Sequence, residues 1–231
     1  SMKFSCATQD LLSAIQLVSR AIGSQQALPI LGNLLLEAKG AECIVTGTDL
    51  ELSIITSFPA KLESEGSITV PAKALVNFAQ YNTDSDVVLE LIEGTKVKCT
   101  SKHAKTMIAG EASSEYPTIA EIERTTTFSL GAAPLLRALH LVTFAAAKTT
   151  LRPVLSGVYM RSEKGVLILV ATDSYRLSEY KIPTEGGEEQ ISCIIPVKIL
   201  DEVRSVLGAA KGEKKEDGSD RVAISLSKQQ V

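Results

Sequence analysis

The sequence predicts an α+β chain of two tandem repeats, each with two helices packed on antiparallel sheet. Self-similarity is the first reason. "LPILGNLLLEAKGAECIVTGTDLEL" at 28–52 returns as "RPVLSGVYMRSEKGVLILVATDSYRL" at 152–177. At a constant offset of 124, Phe4 maps to Phe128, Leu11 and Leu12 to Leu135 and Leu136, Ile15 to Leu139, Val18 to Val142, Pro29 to Pro153, Leu31 to Leu155, and Thr48-Asp49 to Thr172-Asp173. An ungapped register over that span marks an internal duplication. The second reason is a helical apolar stripe in each copy, and the third is a set of β-branched runs between Gly and Pro breaks.

Taken in order, each repeat opens with a short strand and a helix. Apolar residues at 11, 15, 18 and 22, and again at 135, 139, 142 and 146, follow the i, i+4, i+7, i+11 spacing of one helix face. Strands are expected at 30–38, 42–58 and 66–70. The offset then grows to 125, so that "ITVPAKAL" (68–75) matches "CIIPVKIL" (193–200). Pro at the first helical position, where its fixed φ suits, predicts second helices from Pro71 to about Tyr81 and from Pro196 to about Gly208. Strands at 86–92 and 95–100 follow, joined by the turn "IEGT", and another is expected at 104–109. "VVLEL" (87–91) meets "VAISL" (222–226) at an offset of 135, the extra residues being essentially the polar loop "KGEKKEDGSD". "GEASSEYPTIAEIERTT" reads as the linker, giving domains 2–123 and 124–231. The second repeat lacks counterparts of everything after the first hairpin strand, so the chain reads as a fragment whose natural protein continues.

Composition narrows the function. With 231 residues, 45% apolar and 22% charged, the chain is an ordinary globular sequence. No apolar run approaches a membrane span and the start lacks a signal peptide's regions, so a cytoplasmic location is expected. Cys6, Cys43, Cys99 and Cys193 are far apart, without metal spacing, and read as small core residues in a reduced compartment. The net charge of −3 means that any polyanion site must be local.

Two helices per repeat over antiparallel sheet, with "LPILGNLLL", "TGTDLEL" and "VPAKAL" in that order and echoed in the second repeat, closely resemble the bacterial DNA polymerase III beta subunit family, the sliding clamps. The resemblance covers the whole chain. It implies three such domains per subunit, with the third absent here, and a homodimeric ring around duplex DNA whose helices line the hole. It further implies a processivity factor without catalysis or cofactor, nucleoid-associated, that tethers the polymerase and clamp loader through linear clamp-binding peptides.

Charge placement agrees independently of the name. The helix segments 10–22, 72–82, 134–148 and 197–211 hold seven cations, Arg20, Lys73, Arg137, Lys148, Lys198, Arg204 and Lys211, against Asp10, Asp201 and Glu202. The helices therefore carry +4 and the remainder −7. Such a surface binds phosphate diffusely and in a salt-sensitive way. No helix dense in Arg, Asn and Gln suggests base readout, and with no Trp a single-strand stacking platform has little support. The loop "GSQQA" departs from the family's basic loop, leaving Gln25 and Gln26 to meet phosphate, whereas "KTTLR" puts Lys148 and Arg152 near each other.

A Thr-Asp pair inside an apolar strand marks a turn in which the side chains satisfy freed backbone N–H groups, and Thr48-Asp49 is read that way. For the second pair the resemblance implies a partner-peptide pocket of Arg152, Leu155, Thr172, Ser174, Tyr175, Arg176 and Leu177. Leu155 and Leu177 would be its apolar floor, Tyr175 a wall where many clamps carry His, and the arginines contacts for carbonyls or acidic groups. The resemblance also implies that "KHAKTMIAG" (102–110) is a subunit seam with Ile108 as apolar contact and Thr106 standing where clamps often carry a larger apolar residue. His103 and His140 read as solvated. Nucleophile elbow, P-loop and dinucleotide fingerprints are missing. A repeat-built peptide adaptor without DNA binding is the alternative.

Overall fold

The computed structural model describes residues 1–119, 126–149, 151–187, 190, 192–210 and 221–226. The chain divides into two compact units, Ser1–Ile119 and Ala120–Val231, each with its own core.

The first unit runs β1 (Lys3–Ala7), α1 (Thr8–Ser19), β2 (Asn33–Lys39), β3 (Glu42–Thr48), β4 (Ser53–Pro59), β5 (Lys61–Ser64), β6 (Gly66–Pro71), α2 (Ala72–Tyr81), β7 (Asp86–Ile92), β8 (Lys96–Thr100) and β9 (Lys105–Ala109). Two sheets form, β4-β3-β2-β6 and β5-β1-β7-β8-β9, with antiparallel pairing throughout. The α1 stripe is buried as its spacing demands, with Leu11, Ile15 and Val18 fully enclosed against Leu34, Leu36 and Val45. Phe4 and Phe58 join the sheets, ring centroids 6.4 Å apart and tilted. Helix and sheet meet closely at Gly47, where a Cβ would stand 2.7 Å from Val18 Cγ1. The "IEGT" turn closes the β7–β8 hairpin through the three residues Glu93, Gly94 and Thr95, with φ of 42° at Glu93 and 76° at Gly94.

The second unit runs β10 (Thr126–Gly131), α3 (Ala132–Thr143), β11 (Gly157–Glu163), β12 (Val166–Thr172), β13 (Leu177–Pro183), β14 (Glu185–Gly186), β15 (Ser192–Pro196), α4 (Val197–Ala210) and β16 (Arg221–Leu226). Its sheets are β13-β12-β11-β15 and β14-β10-β16. The duplication is preserved residue for residue: α3, β11, β12 and β13 have the bounds of α1, β2, β3 and β4 moved by 124. Leu135, Leu139, Val142 and Ala146 are buried, as expected of that stripe.

Several boundaries differ from those the sequence suggests. The run 42–58 is two strands, because the Thr48-Asp49 turn folds it back on itself. Residues 29–32 and 153–156 form 3-10 turns rather than strand starts, each opened by proline. Pro71 and Pro196 close the preceding strands, and the helices begin one residue later. β5 has no sequence signature, since "KLES" is too short and charged to read as a strand. Lys211, the loop 211–220 and part of the linker lie outside the described residues.

Candidate functional site

The two Thr-Asp pairs build the same turn. Thr48 Oγ1 accepts from the Leu50 N–H (3.0 Å) and donates to the Leu52 carbonyl (3.0 Å), while Asp49 Oδ1 accepts from the N–H groups of Glu51 (2.9 Å) and Leu52 (2.7 Å). Thr172 Oγ1 likewise accepts from Ser174 N–H (3.2 Å) and donates to the Arg176 carbonyl (2.6 Å), and Asp173 Oδ1 takes the N–H groups of Tyr175 and Arg176, both at 3.0 Å. The local role expected of the first pair is thus the role of both. The Tyr175 N–H above all, and then Arg176, hold the Asp173 carboxyl below the usual range, so it is ionised at neutral pH.

What the second turn displays is apolar. Tyr175 is 94% and Leu177 67% exposed, and Arg152 is exposed, with Leu155 half-buried. Leu177 opens β13 at an exposed position of the strand alternation. Arg176 is not wholly available, since its Nε lies 3.2 Å from Asp173 Oδ2. Leu155 fixes the neighbourhood through its backbone: its carbonyl accepts from Ala147 N–H at 2.8 Å, and its N–H donates to the Arg152 carbonyl at 2.9 Å. The Ser178 hydroxyl ties β13 to the Leu141 carbonyl of α3 at 2.6 Å. Two exposed residues that sequence reasoning missed stand in this stretch, Leu151 at 90% and Val154 at 64%. Neither falls on an alternating strand pattern, and that is the signal that could have found them.

The helix pair of the second unit encloses a cleft of about 680 Å³ lined by His140, Phe144, Lys148, Lys198, Asp201, Glu202 and Arg204 among others. Three of the predicted phosphate-facing cations, Lys148, Lys198 and Arg204, thus meet in one place. Arg204 is partly neutralised there, its Nη2 standing 3.5 Å from Asp201. Arg137 is exposed on α3 outside this cleft. Arg20, Gln25 and Lys73 are exposed at the end of α1, in the following loop and on α2 of the first unit, and the Gln26 amide donates to the Gly23 carbonyl at 2.7 Å. Phe144, 59% exposed, is the member the sequence hid: it lies just past α3, off the buried stripe.

At the edge strand β9, a shallow groove is lined by Ala74, Asn77 and Phe78 of α2 and by Thr106, Met107 and Ile108. Ile108 corrects the expectation of a free contact. It is 5% exposed and packs in the unit's own core, because alternation turns it toward α2 with Thr106 while Met107 takes the 47% exposed position.

His103 is exposed at the surface, as expected. Its Nδ1 stands 2.7 Å from Asp84 Oδ1, and its backbone N–H donates to Asp84 Oδ2 at 2.8 Å. With the Ser101 hydroxyl contributing most, these contacts hold the Asp84 carboxyl down at about 2. His140 is exposed, as expected. Among the described residues no cluster of His, Cys, Asp and Glu could hold a metal ion, and no helix is long and apolar enough to cross a membrane.

The paired helices over antiparallel sheet, repeated in register, define a tandem clamp-type architecture. Residues 2–120 match the family "DNA polymerase III beta subunit, N-terminal domain" and 130–231 match "DNA polymerase III beta subunit, central domain"; the chain belongs to the DNA polymerase III beta subunit family. A beta sliding clamp of Staphylococcus epidermidis is 29% identical over 214 residues, covering 89% of this chain and 57% of that protein. The sliding clamp of Bacillus subtilis superposes with a TM-score of 0.90 at 25% identity, covering 98% of this chain and 60% of that one. A Pseudomonas aeruginosa sliding clamp bound to griselimycin gives 0.86 at 26% identity, again over 98% and 60%. The chain spans somewhat over half the length of the relatives it matches.

Proposed function

We propose that this chain supplies two domains of a sliding clamp that encircles duplex DNA and holds replication proteins on it, without catalysing a reaction. The observation that carries this is the meeting of Lys148, in the loop after α3, with Lys198 and Arg204 of α4 in one cleft, where they outnumber Asp201 and Glu202. Diffuse cationic contacts of that kind bind phosphates without reading bases, which lets a ring slide while topology prevents escape. Arg137 on α3, and Arg20, Gln25 and Lys73 on and beside the helices of the first unit, add further contacts of the same kind. A third clamp domain and pairing of two subunits through the β9 edge would complete the ring, with Thr106 and Phe78 at the seam.

Partner proteins are taken at the second Thr-Asp turn. Tyr175, Leu177 and Leu155 offer apolar contact, and Arg152 and Arg176 offer donors, to a linear peptide from a polymerase or clamp loader. Such a protein works in the cytoplasm on nucleoid DNA. Retention on closed circular but not linear duplex, by the protein expressed at the length of its relatives and lost on raising salt, is the expected result. Equal loss from both substrates at all salt concentrations, with peptide binding intact, would instead make it a peptide adaptor.

A further inference from the structure

The cleft between α3 and α4 holds a side chain that phosphate binding does not call for. Phe144 is 59% exposed and stands among Lys148, Lys198 and Arg204 in a space of about 680 Å³. Its backbone is fixed. The N–H groups of Ala145 and Ala146 continue the helical turn to the carbonyls of Val142 and Thr143 at 3.1 and 3.2 Å, the Ala147 N–H donates to the Leu155 carbonyl at 2.8 Å, and Ala145 is fully buried. A ring presented to solvent from a rigid turn is an anchor ready for a flat partner, because little freedom remains to be lost on binding.

The duplication shows that this opening belongs to the helix face itself. In the first unit, where β8, β9 and the segment after them are all in place, Gln16, Arg20, Lys73 and Asn77 are exposed at the positions of His140, Phe144, Lys198 and Glu202. What differs is the chemistry. Where the first unit has Arg20 the second has a ring, and where the first has Ser24 and Ala79 the second has Lys148 and Arg204. The second cleft thus surrounds an aromatic face with charges that hold phosphate.

Within duplex DNA each base face is covered by its neighbours, so a wall of cations meets only phosphate. An unpaired base leaves the stack at little cost and offers a π face, and an aromatic ring accepts any base. Asp201, 3.5 Å from Arg204, makes that part of the cleft unfavourable to phosphate and leaves Lys148 and Lys198 as the phosphate side.

We propose that Phe144 receives one unpaired base of DNA, with the adjoining phosphates on Lys148 and Lys198, and that the cleft thereby distinguishes a junction of duplex and single strand from continuous duplex. A single ring takes a single base, so this is a junction contact and not a platform that tracks a strand. The role rests on the helix layer facing DNA, as proposed above.

The test titrates the intact chain at low salt with a blunt duplex and with a duplex of equal nucleotide number that ends in a short oligothymidine strand. Binding is read by fluorescence anisotropy and by the phenylalanine ring protons in NMR. Phe4, Phe58 and Phe128 are buried, which isolates the signal of an exposed ring among the chain's five. The overhang should bind tighter by roughly tenfold, the effect of one base–aromatic stack, and should move the Phe144 ring protons upfield. Phe144→Ala should bring the two substrates to equal affinity, and Phe144→Trp should restore the preference. A preference that survives Phe144→Ala would put the unpaired strand on another surface and overturn the proposal. Salt-sensitive binding of both DNAs with equal affinity by the native chain would overturn it while leaving the DNA-facing cleft standing. Absence of salt-sensitive binding to either DNA would remove both.

Discussion

Leu50 and Ser174, 124 positions apart, hold the same left-handed backbone, with φ of 77° and 75°. Neither is glycine, and neither turn could carry its Thr and Asp hydrogen bonds without that reversal. A left-handed conformation costs an L-residue roughly 1–2 kcal/mol, part of which glycine would return to the unfolded chain as entropy. Leu50→Gly and Ser174→Gly should each therefore stabilise their unit by up to about 1 kcal/mol in urea unfolding. Destabilisation of both would show that the turns tolerate the conformation without strain.

Thr48 is 1% exposed and Thr172 lies half-buried at the surface, so the same substitution should separate stability from display. Thr48→Val removes the buried hydroxyl that serves the Leu50 N–H and the Leu52 carbonyl in a part-buried turn and should cost about 1–2 kcal/mol. Thr172→Val should cost less, because solvent reaches its partners, but should weaken peptide binding by loosening Tyr175. Calorimetry on folding and on peptide titration measures the two effects separately.

Asp84 should contribute a pH-dependent share of the first unit's stability. Its folded value, about 2, lies below the ordinary 3.8, so the contribution is complete above that ordinary value and is lost as pH falls toward 2. The stability gap between the native chain and Asp84→Asn should accordingly be constant near neutrality and close between pH 4 and 2. A gap independent of acid would disprove the role of ionisation.

Lys148→Glu with Lys198→Glu should weaken duplex binding and lower the magnitude of the salt slope by about 2, one for each phosphate that is no longer neutralised. Arg204→Glu should add less, since Asp201 already draws on its charge. Fluorescence anisotropy from low to high salt decides it. An unchanged slope with a native circular dichroism spectrum would take the α3–α4 cleft off the DNA-facing surface.

At the β9 edge, the informative substitution is Thr106→Glu. Facing the groove and half-buried, it should leave the first unit folded while driving a subunit of the relatives' length from dimer to monomer in sedimentation. Ile108→Asp is no test of the seam, because it puts a charge into the core and should cost on the order of 3 kcal/mol or more in folding.

The duplication was legible because it constrains many positions at once: stripe residues such as Leu11 and Leu135 and turn residues such as Asp49 and Asp173 had to agree. Ladders without a local signature were not. The "LESEG" stretch hides β5, whose pairing with β1 depends on residues some sixty positions away. The candidate residues could be named from the sequence, but the pairing among them could not. Arg176 with Asp173, Arg204 with Asp201 and His103 with Asp84 are contacts of folded geometry, and Ile108's burial follows from a strand phase that sequence alone leaves open.

The cysteines give the two units separate chemical clocks. Burial pushes the Cys6, Cys43 and Cys99 thiols up to about 12, and all three lie within the first unit's core, whereas Cys193 is only half-buried in the second. A thiol reagent can reach the first three only when that unit opens. Mass-resolved alkylation would then time the opening of the first unit against a thiol of the second that reacts without such opening, and needs no engineered probe.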